Sequence, residues 1–181
     1  MFYREVDHDL KLAINLHHFA EALHQLVNQN RDFLKDWLPW LDDNTKPKDT
    51  EEFIKSAASQ MAEGRGLTCL IFFQDNLVGT VSYNTIEPST RTGSIGYWLD
   101  KDHNGKGIMT KCVEKLIEIG FRELALKKVE IRCAVGNTKS RSIPERLGLK
   151  EEGAIRNAEN LYGRYVDHVV YGLLKDEWKP R

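Results

Sequence analysis

The sequence predicts an α/β fold, a mixed sheet with helices packed on it, and three observations predict it. Two helical segments give way to strand-like runs after residue 66, a long one-sided helix occupies 108–124, and strict alternation follows in Val129, Ile131, Cys133 and Val135.

In chain order, Phe19, Leu23, Leu26 and Val27 form one stripe of a helix over 17–30, followed by an aromatic segment, Leu34 to Leu41. Thr50 is the expected cap of a second helix, with Glu51 and Glu52 in its first turn and Gly64 and Gly66 stopping it. Thr68 to Phe73 is a continuous apolar run, as in a strand buried on both faces. Asp75 and Asn76 suit a tight turn into a partner strand, Leu77 to Tyr83, and Ser94 to Leu99 reads as another. The helix over 108–124 lines Ile108, Cys112, Val113, Leu116, Ile117, Phe121 and Leu124 on one face. A short helix over Ser140 to Leu147 is ended by Gly148, and a last hairpin pairs Glu152–Ala158 with Val166–Leu174.

The 181 residues suit one domain over 1–181. No apolar run approaches the ~20 residues of a membrane span, and no leader pattern opens the chain, so a cytoplasmic protein without a membrane partner is expected. The net charge of −1 is spread without a basic stripe, which argues against direct nucleic-acid binding. Cys69, Cys112 and Cys133 are odd in number and lie in apolar stretches without a CxxC, so they read as core residues. Neighbouring helical histidines such as His17 and His18 diverge by about 100°. With His24 they give no ligand spacing, and no metal is expected. Asp36, Asp42, Asp43, Asp49, Glu51 and Glu52 outnumber Lys46 and Lys48, a solvated stretch or a field for a cationic acceptor.

The segment Tyr97 to Thr110 carries the chemistry. A strand ends, Gly105 and Gly107 allow a tight turn, and the free N–H groups of a helix start follow, together a phosphate or pyrophosphate site. The Walker spacing is absent. The third glycine of a dinucleotide fingerprint is replaced by Thr110, and Glu130 stands at the wrong end of the next strand for a ribose contact. Coenzyme A remains, with its pyrophosphate over Gly105 to Thr110.

Here the sequence resembles the GNAT acetyltransferase superfamily, and within it the bacterial ribosomal-protein N-terminal acetyltransferases of the RimL/RimJ type. Ile95 to Leu99 is similar to the family's fourth strand, whose bulge splays a mostly antiparallel mixed sheet, with helices on both faces, open for acetyl-CoA. Asn104-Gly105-Lys106-Gly107-Ile108-Met109 resembles the pyrophosphate loop, with Gly107 at its strict position and Asn104 and Met109 departing from it. Asn137-Thr138-Lys139-Ser140 resembles the family's turn that holds the pantetheine arm and receives the thiolate. Pro144 stands where many members place a tyrosine acid, which makes Ser140 the better proton donor. Ala158 to Gly163 resembles the stretch with a catalytic glutamate, a role carried to Glu159.

The resemblance therefore implies cofactor contacts from Tyr97, Trp98, Leu99, Asn104, Gly105, Lys106, Gly107, Ile108, Met109, Thr110, Asn137 and Ser140. It implies catalysis by Glu159 as base and Ser140 as acid, and no metal. Trp37 and Trp40 are core residues or a lip over the acceptor. Main-chain N–H groups at Tyr97 to Leu99 are expected to face the developing oxyanion. An α-amino group, with a reference pKa of about 7.7–8.0 against about 10.4 for lysine, needs only one carboxylate to lose its proton. That favours a protein N-terminus, with a ribosomal protein as the family-level acceptor. A small amine (a polyamine or an antibiotic) and a non-catalytic acyl-CoA sensor stay open. The apolar last strands make a homodimer or higher homo-oligomer plausible.

Overall fold

In the computed structural model, which describes residues 2–180, two short strands precede everything read from the sequence. They are β1 (Tyr3–Glu5) and β2 (Leu10–Ile14). A helical layer follows, α1 (Ala20–Gln29), α2 (Arg31–Lys35) and α3 (Pro47–Ala62), and then β3 (Leu67–Phe73), β4 (Asn76–Glu87) and β5 (Thr92–Leu99). The chain continues through α4 (Ile108–Arg122), β6 (Lys128–Ala134), α5 (Thr138–Leu147), β7 (Lys150–Leu161) and β8 (Arg164–Leu174). The strands form one sheet in the order β1-β2-β3-β4-β5-β6-β8-β7. Every neighbouring pair is antiparallel except β5 and β6.

The unbroken apolar run of β3 explains where the helices go. Cys69 and Ile71 pack with Cys112, Val113, Leu116 and Ile117 of α4, whereas Leu70 and Phe72 pack with Ala20 and Leu23 of α1 and Ile54 of α3. Successive side chains of a strand point to opposite faces, so each set covers one side of the sheet, as expected. All three cysteines are free and buried. Burial pushes the Cys69 thiol up to about 12.

Three local readings are corrected. The second helix starts at Pro47, not after Thr50. Pro47 supplies a pre-set φ at a position that needs no N–H, and the Asp49 carboxylate accepts from the N–H of Lys46 at 2.8 Å and of Thr45 at 3.0 Å. Thr50 lies buried inside the helix, its hydroxyl 3.2 Å from His24 Nδ1 and 3.1 Å from Asn44 Oδ1. The β3–β4 turn sits one residue earlier than expected, at Gln74 and Asp75. Both have positive φ (48° and 62°), as a hairpin of right-handed twist requires. The strand irregularity expected in Ile95–Leu99 falls on its neighbour, where β4 carries the extra residue Asn84 between the pairs Tyr83–Ile95 and Thr85–Ser94.

The feature that makes a site is the way β5 leaves β6. β5 stays paired to β4 out to Gly79–Leu99, but to β6 only from Thr92–Lys128 to Ile95–Ile131. Past that point β6 runs on beside β8, through Cys133–Val169 and Ala134–His168. The sheet is parted, with Gly96 to Leu99 on one lip and Arg132 to Ala134 on the other.

Candidate active site

The glycine loop and the start of α4 stand at the mouth of this gap. Gly105 (φ +78°) and Gly107 (φ +75°) are left-handed, and a Cβ on either would meet no protein atom within 4 Å. The glycines thus serve the turn, and the space above them is open. Lys111 N donates to Gly107 O at 3.2 Å. The N–H groups of Ile108, Met109 and Thr110 precede that first bond and lack an intrahelical acceptor, and no acidic side chain occupies the first turn. The side chains of Ile108 and Met109 are buried in the core, so only their main chain can face a ligand. Asn104 closes the loop from below, its amide donating to Asp100 O at 2.9 Å. Thr110 Oγ1 accepts from Arg146 Nη1 at 2.6 Å, tying α4 to α5.

On the same face of the sheet as α4, three groups converge inside the gap. Ser140 Oγ lies 3.3 Å from Tyr97 Oη and 3.3 Å from Cys133 Sγ. Tyr97 Oη donates to the Ser140 carbonyl at 3.0 Å. Asn137 caps α5, its Oδ1 accepting from Ser140 N at 3.1 Å. That bond sets where the Ser140 side chain points. Desolvation holds the Tyr97 phenol well above its ordinary value, so it stays protonated beside the serine.

The opposite face carries a different set. Trp98, one residue on from Tyr97, packs with the α1 and α3 cluster and with Trp40 and Leu41. A cavity of about 340 Å3 is walled by Leu23, Val27, Trp40, Phe53 and Trp98, with Asp43 among its polar groups. Val169 and Tyr171 of β8 face α4, so His168, which immediately precedes Val169, faces the Trp98 side. There its Nε2 meets Glu159 Oε2 at 3.2 Å. The tip of the β7–β8 hairpin reaches over the aromatic segment: Tyr162 Oη donates to Leu38 O at 2.6 Å, and Arg164 lies 5.6 Å from the centre of the Trp37 ring and donates to Asp36 O. Trp37 and Trp40 are half-buried; Trp40 lines the cavity and also packs against Val27, Leu34 and Leu41.

The structure thus brings the loop, Tyr97, Asn137 and Ser140 to one side of the parted strands and Trp98, Trp37, Trp40 and Glu159 to the other. Sequence reasoning missed His168. Its position two residues along β8 from Val166, which pairs with Glu159, becomes visible only once the β7–β8 register is known. It also missed that Tyr97 reaches Ser140. Asp42 is neutralised by Lys35 at 2.7 Å and Asp49 is spent on its helix start, so the acidic stretch is partly consumed internally.

A parted parallel strand pair, an open helix start beside it and hydrogen-bonding side chains on both sides define an acyl-coenzyme A transferase. The chain belongs to the GNAT acetyltransferase family, whose domain description, Acetyltransferase (GNAT) domain, matches residues 13–150. It is 37% identical to the putative ribosomal N-acetyltransferase YdaF of Bacillus subtilis (strain 168), over 99% of this chain and 98% of that one. Among solved structures it resembles RimL, a ribosomal L7/L12 alpha-N-protein acetyltransferase in complex with coenzyme A, at TM-score 0.94 and 31% identity, covering 97% of this chain and 99% of that one. It also resembles the microcin C7 self-immunity acetyltransferase MccE in complex with acetyl-CoA and AMP, at TM-score 0.89 and 31% identity, covering 93% and 94%. Among the described residues no helix is long and apolar enough to cross a membrane.

Proposed function

We propose that the chain, acting as one acetyltransferase domain in the cytoplasm, acetylates the N-terminal α-amino group of a ribosomal protein. The observation that carries this reading is the placement of Glu159 and Ser140 on opposite faces of the parted strands. An acceptor entering on the Trp98 side meets the carboxylate, and a thiol leaving on the α4 side meets the hydroxyl.

The donor is acetyl-CoA, which supplies the acetyl thioester. The N–H groups of Ile108 to Thr110 and the turn at Gly105–Gly107 would take its pyrophosphate. Asn137 would face the pantetheine arm with the amide nitrogen left over from its cap bond. Unpaired main chain at Gly96 to Leu99 stands ready for a polarised carbonyl oxygen. Glu159 would take the proton from the amine as it attacks, and Ser140 would give its proton to the departing sulfur, with the Tyr97 phenol behind it. Trp37 and Trp40 would form the acceptor wall.

A second reading has its own support. The aromatic walls of the cavity beside Trp98 would suit a small amine carrying a flat ring, and MccE is an acetyltransferase whose structure was solved with AMP. Thiol release from acetyl-CoA separates the two, with one panel of peptides bearing free N-termini and one of small amines. Turnover with peptides but not with small amines or lysine side chains is expected. Turnover with small amines alone overturns the N-terminal reading, and no thiol release with any acceptor overturns the enzyme.

A further inference from the structure

The β7–β8 hairpin contains a device that the proposed mechanism does not use. From the pair Ile155–His168 to the pair Glu159–Val166, β7 advances four residues while β8 advances two. Asn157 (φ 49°) lies within this bulge, and its N–H donates to Asp167 Oδ1 at 2.8 Å. A bulge re-aims the side chains that follow it. Here it sets Glu159 opposite Val166, on the face that His168 shares, and makes the two diagonal neighbours. The side chains are 26% and 14% exposed, so the contact is formed largely out of water.

The chemistry of the contact is directional. An ionised carboxylate only accepts hydrogen bonds. With Glu159 ionised, as its reading as base requires, the proton in the 3.2 Å contact between His168 Nε2 and Glu159 Oε2 belongs to the imidazole. Glu159 has one oxygen held and Oε1 left over. From β6, Lys128, Glu130 and Arg132 are the charged groups on this face; Arg132 binds Glu130 at 2.6 Å and Lys128 binds Glu152, which leaves His168 to Glu159.

We propose that His168 is a positioning residue: it donates Nε2–H to one oxygen of Glu159 and so aims the other at the acceptor amine. This rests on the reading of Glu159 as base. As the new C–N bond forms and the C–S bond breaks, the amine proton moves to Glu159 Oε1, while Oε2 keeps its hydrogen bond to the imidazole. The carboxylate then changes protonation state without changing its rotamer. His168 also packs against the end of β6 at Ala134, so the aim of Glu159 is coupled to the lip of the gap.

The test is steady-state kinetics, with a peptide acceptor, on Glu159→Gln, His168→Ala, His168→Met and His168→Gln, each with a thermal melt. A misaimed base costs on the order of ten- to a hundred-fold, and that loss is expected in kcat for the Ala and Met variants, at unchanged KM for acetyl-CoA. Glutamine places an N–H donor where Nε2 stands, so His168→Gln is expected to recover most of the rate. Wild-type kcat in a folded Ala or Met variant overturns the inference while leaving the base intact. Equal losses in folded Gln and Met variants overturn it too. Wild-type kcat in Glu159→Gln instead overturns the underlying reading of Glu159.

Discussion

Pro144 and Tyr97 are a matched pair. Proline has no N–H, so Pro144 leaves the Ser140 carbonyl one turn earlier without its helical donor, and the Tyr97 phenol supplies one at 3.0 Å. A helix that would be weakened at its fourth turn position is instead pinned across the gap to β5. Tyr97→Phe should destabilise the protein by about 0.5–1.5 kcal/mol, the net worth of a hydrogen bond at a part-buried site. Pro144→Ala restores an N–H to the same carbonyl, so it should recover part of that loss in the Phe background. Urea unfolding of the two single variants and the double variant measures the coupling, and strict additivity would refute the pairing.

Alkaline pH should unfold the protein through its buried thiols. Cys69 ionises near 9.0 when free and is pushed up to about 12 by burial. A raised folded value means that the native state keeps a proton the unfolded chain gives up. Stability is therefore full below 9.0 and falls between there and about 12, by about 1.4 kcal/mol per pH unit for such a group. Burial raises Cys112 and the Tyr83 phenol in the same direction. Melting temperatures across this range should decline steadily, and Cys69→Val should flatten the slope. An unchanged slope would show that Cys69 is not the titrating group.

Periodicity made the central architecture legible. The α4 stripe, the apolar β3 and the alternation of β6 each survive in the structure because each is dictated by one buried face or two. The strands that escaped notice are β1, exposed throughout, and the five-residue β2, both too short for a period to register. Thr50 misled because a hydroxyl followed by acids satisfies the rule for a helix start, while Pro47 and Asp49 satisfy it better three residues earlier. Within the site, Gly105 and Gly107 could be located because a tight turn ahead of a helix has its own chemistry, whereas Asn137 and Ser140 are picked out only by the resemblance of their turn to the family's. The partnership of Glu159 with His168 could not be located, since it depends on the count of residues inside a bulge.

Gly107 separates cofactor binding from folding. Its φ of +75° is costly for any residue with a Cβ, although nothing crowds the site. Gly107→Ala should therefore cost about 1–2 kcal/mol of stability, and the strained turn should misdirect the N–H groups at the head of α4. Calorimetry should show weaker coenzyme A binding, with peptide affinity measured separately left unchanged. Gly64→Ala, equally left-handed (φ +70°) but at the end of α3, should lose similar stability and bind the cofactor normally. Loss of cofactor binding in both variants would point to general unfolding rather than to the loop.

Asp167 offers a way to move Glu159 without touching it. Its Oδ1 accepts the Asn157 N–H at 2.8 Å and so closes the bulge that turns Glu159 toward His168. Its carbonyl meanwhile accepts from Val135 N at 2.9 Å, just past the end of β6. Side chains alternate along a strand, so slippage of β7 by one residue would swing Glu159 to the far face. Asp167→Ala removes the side-chain acceptor and keeps the carbonyl, which should loosen the bulge while leaving the β6–β8 ladder in place. The expected result is a fall in kcat of about ten-fold, in line with a misplaced base, with unchanged affinity for acetyl-CoA. Asp167→Asn retains Oδ1 and should stay near the wild-type rate, because the bulge needs an acceptor there and not a charge. A rate loss in the asparagine variant equal to that in the alanine variant would assign the effect to the missing charge and remove the bulge from the argument.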